Sequence, residues 1–154
     1  MLKSKIYPKS KHRLGRSPRV KIEDESNWKL KMENWKWGET NTANIIEEKS
    51  FAFAIRIVNL YKHLNEAKKE FVLSKQLLRS GTSIGANVAE AEQAQSASDF
   101  VSKMSIALKE ASETKYWIRL LASTSYLTEA ETVSILNDCV EIEKILVSII
   151  KSSK

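Results

Sequence analysis

Residues 100–121 read Phe-Val-Ser-Lys-Met-Ser-Ile-Ala-Leu-Lys-Glu-Ala-Ser-Glu-Thr-Lys-Tyr-Trp-Ile-Arg-Leu-Leu. Within this stretch Phe100, Met104, Ala107, Ala111, Thr114, Ile118 and Leu121 recur at spacings of 4, 3, 4, 3, 4 and 3. A strand places alternate residues on one face, whereas this heptad pattern is the seam of a helix packed lengthwise against its neighbours. Ser96 or Ser98 can cap its first turn, and Asp99 complements the positive end of the helix dipole. The spacing predicts a helix over about 99–123.

The same periodicity continues on both sides. Downstream, Thr128-Glu-Ala-Glu131 has the form of a capping box, in which Thr128 takes an amide of the first turn and Glu131 reaches back. Ile135, Cys139, Ile142, Leu146 and Ile149 form one stripe of the helix that follows, over 129–152, with Leu136, Val140, Val147 and Ile150 beside it. Cys139 therefore reads as a small core residue and not as a nucleophile. Upstream, Leu73, Leu77, Ile84, Val88 and Ala91 predict a helix over about 70–95. Gly81 and Gly85 lie inside it, and each costs about 1 kcal/mol relative to alanine in an exposed helix. Missing side chains at i and i+4 would let a second backbone come close, and Ser80, Ser83, Ala86 and Ala89 extend the small-residue character. The competing expectation is a break at Gly81-Thr82-Ser83.

The first helix is expected over about 45–65. It carries Phe51, Ala54, Ile55 and Val58 on one stripe and Phe53, Ile57, Leu60 and Leu64 on an adjacent one. So broad an apolar face implies contact with more than one neighbour. The polar run Asn65-Glu-Ala-Lys-Lys-Glu70 is the expected turn. Four amphipathic helices with short connections give an all-α, antiparallel up-down-up-down four-helix bundle over 45–154. Surplus apolar area on the first and fourth helices points to association.

Composition agrees with this fold class. The 154 residues suit one domain, and only 4 glycines and 2 prolines disfavour a turn-rich sandwich or barrel. No apolar run approaches the roughly 20 residues of a membrane helix, and the amino terminus lacks a signal peptide's apolar core, so the expected location is cytoplasmic. The formal charge of +6 is unevenly placed. Residues 1–44 hold 11 Lys/Arg against 5 Asp/Glu, while residues 45–154 hold 14 of each.

Residues 1–44 read as a basic, disordered tail that cannot bury enough apolar surface to order itself. Lys3, Lys5, Lys9, Lys11, Arg13, Arg16 and Arg19 are candidate phosphate contacts of a nucleic-acid-gripping arm. The bland alternatives are a solvated tail or a start at Met32, which would change the net charge from +6 to −1. Trp28, Trp35 and Trp37 alternate with Lys29, Lys31 and Lys36. Such a pattern could stack bases, but before a linker containing Gly38, Asn41 and Asn44 it reads better as a segment that docks or stays disordered.

The sequence offers no chemistry beyond this. Two histidines and one cysteine are too few for a Cys/His zinc site or an intramolecular disulfide. A di-metal carboxylate bundle needs Glu-x-x-His pairs, yet Leu60 and Lys9 precede His63 and His12 by three. His63, Glu66 and Glu70 could share a helix face, though more simply as a solvated helix end. No enzyme, cofactor or metal is expected. Arg79, Ser83, Asn87 and Glu90, at steps of 4, 4 and 3, put an ion, a hydroxyl, an amide and an opposite ion along one face. Such a stripe can satisfy a tight helix contact or fix register between subunits.

The stretch Leu78-Arg-Ser-Gly-Thr-Ser-Ile-Gly-Ala-Asn-Val-Ala-Glu-Ala91, followed by Asp99-Phe100, Ser105-Ile-Ala-Leu-Lys-Glu110 and Tyr126-Leu-Thr-Glu129, resembles a known family. It is the bacterial four-helix-bundle family of 23S rRNA intervening-sequence proteins, and the resemblance runs from about Glu48 to Ser152. The accessory variability protein of diversity-generating retroelements looks like a relative. The resemblance implies assembly into a homopentameric ring and, by way of that relative, a basic surface that engages nucleic acid and reverse transcriptase. Transferred to this chain, it makes Arg79, Gly81, Ser83, Gly85, Asn87 and Glu90 signature positions for structure and assembly. Many members follow the motif with a basic cluster, but Ala91-Glu-Gln-Ala-Gln-Ser96 has none. The expected function is a non-enzymatic oligomeric helical scaffold or adaptor without membrane partners. The rival is an RNA- or DNA-binding accessory protein acting in intervening-sequence or retroelement biology.

Overall fold

The computed structural model of the chain describes residues 42–154. The seven basic candidates from Lys3 to Arg19 and the tryptophan-containing segment lie outside the described residues. Four helices follow one another: α1 (Thr42–Glu66), α2 (Leu73–Ala91), α3 (Ala97–Ser123) and α4 (Glu129–Ser152). Each packs on the next and α4 closes on α1, the least extensive of the four seams. This is the expected four-helix all-α bundle with up-down neighbours.

All seven heptad positions of α3 are buried, as is the α4 stripe Ile135, Cys139, Ile142, Leu146 and Ile149. Cys139 Sγ lies 3.4 Å from the carbonyl oxygen of Ala111, and burial pushes its thiol pKa up to about 12. A thiol that stays protonated at neutral pH is a packing group. Two helix starts form as the sequence implies. Ser96 accepts from the amide of Asp99 at 3.1 Å, and Thr128 and Glu131 form the complete capping box. The Thr128 amide and hydroxyl hold the Glu131 carboxyl below its ordinary range, against a smaller opposing effect of burial.

α1 corrects the expected pattern. It begins at Thr42, three residues inside the stretch read as tail. Its core stripe is Ile46, Phe53, Ile57 and Leu64, whereas Phe51 and Ile55 of the other stripe are 68% and 49% exposed. The first stripe serves the bundle, whereas the second is half-buried at Ala54 and Val58 and exposed only at Phe51 and Ile55. α2 also departs from the expected 70–95, running only from Leu73 to Ala91, with no break at its glycines. The connection is Ala67–Val72, where Lys69 takes a left-handed conformation at φ 54°. The expected turn placed Glu70 on a solvated face with His63 and Glu66, but Glu70 is buried, only 6% exposed.

The reason for that burial is a capping role. Glu70 Oε1 accepts from the amides of Val72 and Leu73 at 3.0 and 2.8 Å, and Oε2 accepts from Ser74 at 2.6 Å. The Ser74 hydroxyl in turn donates to the Glu70 carbonyl at 2.9 Å. One carboxylate satisfies three amides that the first turn of a helix leaves without partners. Burial alone would raise the Glu70 pKa, yet the bonds from Leu73, Ser74 and Val72 together hold it below the ordinary glutamate value. His63 faces α4 instead, with Nε2 4.0 Å from Glu131.

The glycines set the α1–α2 distance. A Cβ on Gly81 would sit 2.8 Å from both Cγ atoms of Ile57, and one on Gly85 would sit 3.4 Å from the backbone oxygen of Ser50. The first contact is forbidden without movement of a branched, buried side chain. The second is tight but nearly ordinary.

Gly81→Ala should therefore destabilise the bundle by about 1–3 kcal/mol through overpacking. Gly85→Ala should fall within about 1 kcal/mol of the unaltered chain, its gain in helix propensity offsetting the tighter contact. Urea unfolding at matched protein concentration measures both. A double-mutant cycle with Ile57→Ala should show coupling between positions 57 and 81 of at least about 0.5 kcal/mol, and additivity would contradict the clash.

The depressed Glu70 pKa gives a second expectation. The folded carboxyl binds its proton less readily than the unfolded one, so its stabilisation is present above the ordinary glutamate pKa and fades as pH falls through the depressed value. Glu70→Gln should flatten the acid limb of a stability-versus-pH curve while lowering stability at pH 7. An identical acid limb in both proteins would contradict the capping role.

Candidate interaction face

The signature residues lie where α2 crosses α3. Arg79 Nη2 lies 2.9 Å from Glu113 Oε1, Thr114 Oγ1 lies 3.0 Å from Ser80 Oγ, and Lys103 Nζ lies 2.5 Å from Glu90 Oε2. These three antiparallel pairs fix the register, which sets Ser83 level with Glu110 and Asn87 level with Ile106. Along α2 itself, Ser83 Oγ donates to the Arg79 carbonyl at 2.6 Å, and Asn87 Nδ2 donates to the Ser83 carbonyl at 2.8 Å. The stripe from Arg79 to Glu90 is thus a ladder on one helix edge.

The two ions of the stripe do not meet each other. Each finds its partner on α3, and the hydrogen bond from Lys103 to Glu90, with the attraction between their charges, raises the lysine pKa. Glu113 also accepts from Trp117 Nε1 at 3.1 Å, so one carboxylate ties an indole and a guanidinium together. Beneath this edge Thr114 and Ser80 are fully buried, and Thr114 Oγ1 lies 2.7 Å from the Glu110 carbonyl oxygen. Gly81 and Gly85 belong to a different surface of α2, the one turned toward α1.

Sequence reasoning found the α2 half of this face and missed the α3 half. Lys103, Glu113 and Trp117 lie on α3 outside its buried stripe, and Glu110 appears in the reading only as the end of a motif. Helical spacing names which residues share a face but not which residue of another helix stands opposite. One signal was available: Lys103, Ile106, Glu110, Glu113 and Trp117 recur at steps of 3, 4, 3 and 4, a second stripe parallel to the core stripe.

Two features of this face are unsatisfied among the described residues. Glu110 Oε2 is buried and has no hydrogen-bond partner among the described residues. Ile106, one turn away, is 37% exposed. Elsewhere on α3, Tyr116 is 58% exposed, while Lys115 is paired with Glu143 at 2.6 Å. Among the described residues no group of three or more His, Cys, Asp or Glu could hold a metal ion. None of the described helices is long and apolar enough to cross a membrane.

The family profile described as 23S rRNA-intervening sequence protein matches residues 42–148, the bundle almost from end to end. The chain belongs to that family. Among solved structures it is similar to a protein with unknown function from the S23 ribosomal protein family of Bacteroides thetaiotaomicron VPI-5482. The two are 61% identical with a TM-score of 0.71, over 71% of this chain and 98% of that one. Comparison with curated proteins gives no match. In this member of the intervening-sequence protein family, the matched region begins where α1 begins.

The face separates exposed from buried contributions. Arg79 is 61% exposed in its side chain and its loss leaves Glu113 bonded to Trp117, so Arg79→Ala should change stability by less than about 1 kcal/mol. Thr114→Val keeps the volume but removes a buried hydrogen-bonding hydroxyl, at a cost of about 1 kcal/mol or more. Chemical denaturation of the two variants should rank them in that order. The reverse ranking would make the outer ion pair the stronger tie.

Proposed function

We propose that the chain is a non-enzymatic helical scaffold that works as a homo-oligomer, a homopentamer by family resemblance, with the α2–α3 face turned toward the next copy. The observation that carries this reading is the buried Glu110 Oε2, without a hydrogen-bond partner among the described residues, beside the exposed Ile106. A carboxylate oxygen removed from water without a hydrogen bond is costly, and a donor from a second copy would remove the cost. In this reading Gly81 and Gly85 set the shape of each copy, while Arg79, Ser83, Asn87 and Glu90 form the edge along which copies align.

The second reading, an RNA- or DNA-binding accessory role in intervening-sequence or retroelement biology, is favoured by the tail. Residues 1–44 carry the whole +6 excess, and the described stretch from Ile45 onward balances 14 basic against 14 acidic residues. Any phosphate contact then falls to Lys3, Lys5, Lys9, Lys11, Arg13, Arg16 and Arg19. Reverse transcriptase is a partner only in the retroelement version of this reading. A cytoplasmic location fits both.

Sedimentation of the full chain should give a discrete mass near five times 17.5 kDa, falling toward a single copy in Ile106→Asp. A single-copy mass for the unaltered chain would end the scaffold reading. Titrating a fluorescent structured RNA at two salt concentrations, with the full chain and with one starting at Met32, tests the rival. Salt-sensitive binding that disappears on truncation would establish the tail as the contact.

A further inference from the structure

Glu110 Oε2 has no hydrogen-bond partner among the described residues, and Ile106 beside it is 37% exposed. A stripe of the opposite character runs along the outer edge of α4. Val133, Asn137, Val140, Lys144, Val147 and Lys151 recur there at steps of 4, 3, 4, 3 and 4. Val133 is 51% exposed, Val140 and Val147 are half-buried, and both lysines are exposed without an ion pair among the described residues. One face is short of a donor, and the other is short of acceptors.

We infer that the outer edge of α4 of the next copy covers the α2–α3 face, with Lys144 of the next copy donating to Glu110. This contact rests on the scaffold reading and gives its interface a donor. Height along the bundle selects the lysine. Copies in a closed ring are related by rotation alone, so where the bundles stand along the ring axis, touching residues lie at the same height. The exposed helical cations without an ion pair among the described residues are Lys62, Lys75, Lys109, Arg119, Lys144 and Lys151. Cys139 meets Ala111, and Glu143 meets Ser112 and Lys115, which brings Lys144 to the level of Glu110 within about one turn. Lys75 lies eight residues from Ser83, Arg119 nine from Glu110 and Lys151 seven from Lys144. Ile57 opposite Gly81 puts Lys62 as far away. These four stand roughly 10–14 Å above or below Glu110. Lys109 is level with it but shares its helix, and a ring contact joins two different faces of the chain. α4 follows α3 around the bundle, so its outer edge is inclined to the α2–α3 face, as closure into a ring requires.

The rest of the contact agrees. In a ring of co-oriented copies α3 and the neighbouring α4 run antiparallel, so with Glu110 at Lys144, Ile106 meets Val147 and both lose water. Seven residues on, Lys151 comes level with Lys103, beside Glu90, whose side chain is 58% exposed. Two carboxylates and two ammonium groups thus repeat at the same interval. Glu110 is half-buried, and the broad terminal torsion of a carboxylate lets a small rotation turn Oε2 to a donor arriving from outside. The new hydrogen bond removes the cost of the orphaned oxygen.

Sedimentation of the full chain tests the pairing. Lys144→Glu and Glu110→Lys should each weaken assembly at least about tenfold, and the two together should recover the mass of the unaltered chain. An unchanged mass in Lys144→Glu overturns the contact and leaves the scaffold reading standing, whereas a single-copy mass for the unaltered chain ends both. Failure of the double variant to recover the mass, with circular dichroism showing intact helices, also overturns the contact. Should Glu110→Lys disturb the fold, Ile106→Cys with Val147→Cys reads the same surface. On oxidation that pair should give covalent multimers of more than two copies on a non-reducing denaturing gel, which neither single variant can form. Their absence from an assembled chain overturns the contact.

Discussion

The distance between α1 and α2 governs the rest of the bundle. Gly81 leaves room for the branched side chain of Ile57, and Gly85 leaves room for the backbone of Ser50. The absent side chain at Gly81 is what lets α2 come this close to α1, while one turn on a Cβ at Gly85 would only touch Ser50. Once that crossing is fixed, the opposite edge of α2 is fixed too, because a helix is rigid about its own axis. The edge bearing Arg79, Ser80, Ser83, Asn87 and Glu90 is thereby delivered to α3. The glycines lower local helix propensity, and the buried packing of Ile57, Leu77, Ile84 and Val88 offsets that loss.

Polar groups at the other seams act as registers more than as sources of stability. Lys49 with Glu141, Arg56 with Asp138 and Ser134, and His63 with Glu131 line the α1–α4 seam, the least extensive of the four. Exposed pairs of this kind contribute little energy apiece, but three of them, one on every second turn of α1, disfavour a slipped alignment. Lys115 and Ser112 do the same for α3 and α4 through Glu143. The bundle thus pairs many of its charges internally, which matches its equal count of basic and acidic residues and leaves the chain's positive excess to the tail.

The fold was legible because long amphipathic periods and two capping signals carry it. Phe100 to Leu121 and Ile135 to Ile149 needed only helical spacing, and Ser96 and Thr128 needed only local hydrogen bonding. The places where reading failed are those decided by contact at a distance. Glu70 looks like a surface residue in a charged run, but its carboxylate is worth more bonded to three amides than in water, and this shortens α2 at its start. Phe51 and Phe53 differ by two positions on a helix whose stripes are both apolar, so hydrophobicity alone could not say which faces the core. On the candidate face, Arg79, Ser83, Asn87 and Glu90 were found from their spacing. Their α3 partners Lys103 and Glu113 and the buried acceptor Glu110 emerge only once the crossing register is known.

That register also explains why satisfying the core does not satisfy the chain. A helix in a four-member bundle turns roughly a third of its circumference inward, and apolar residues beyond that arc lie outside the core formed by the described residues. Phe51 and Ile55 lie beyond it on α1, and Ile106 lies beyond it on α3. The two surfaces differ in kind. Around Ile106 the surroundings are polar, already neutralised, and short of one hydrogen-bond donor at Glu110, so a matching surface must supply a directed donor along with apolar area. Around Phe51 the exposed side chains are Phe51 and Ile55, with Glu47 and Glu48 toward the start of α1. Directed donors suit a symmetric, repeated contact between folded copies.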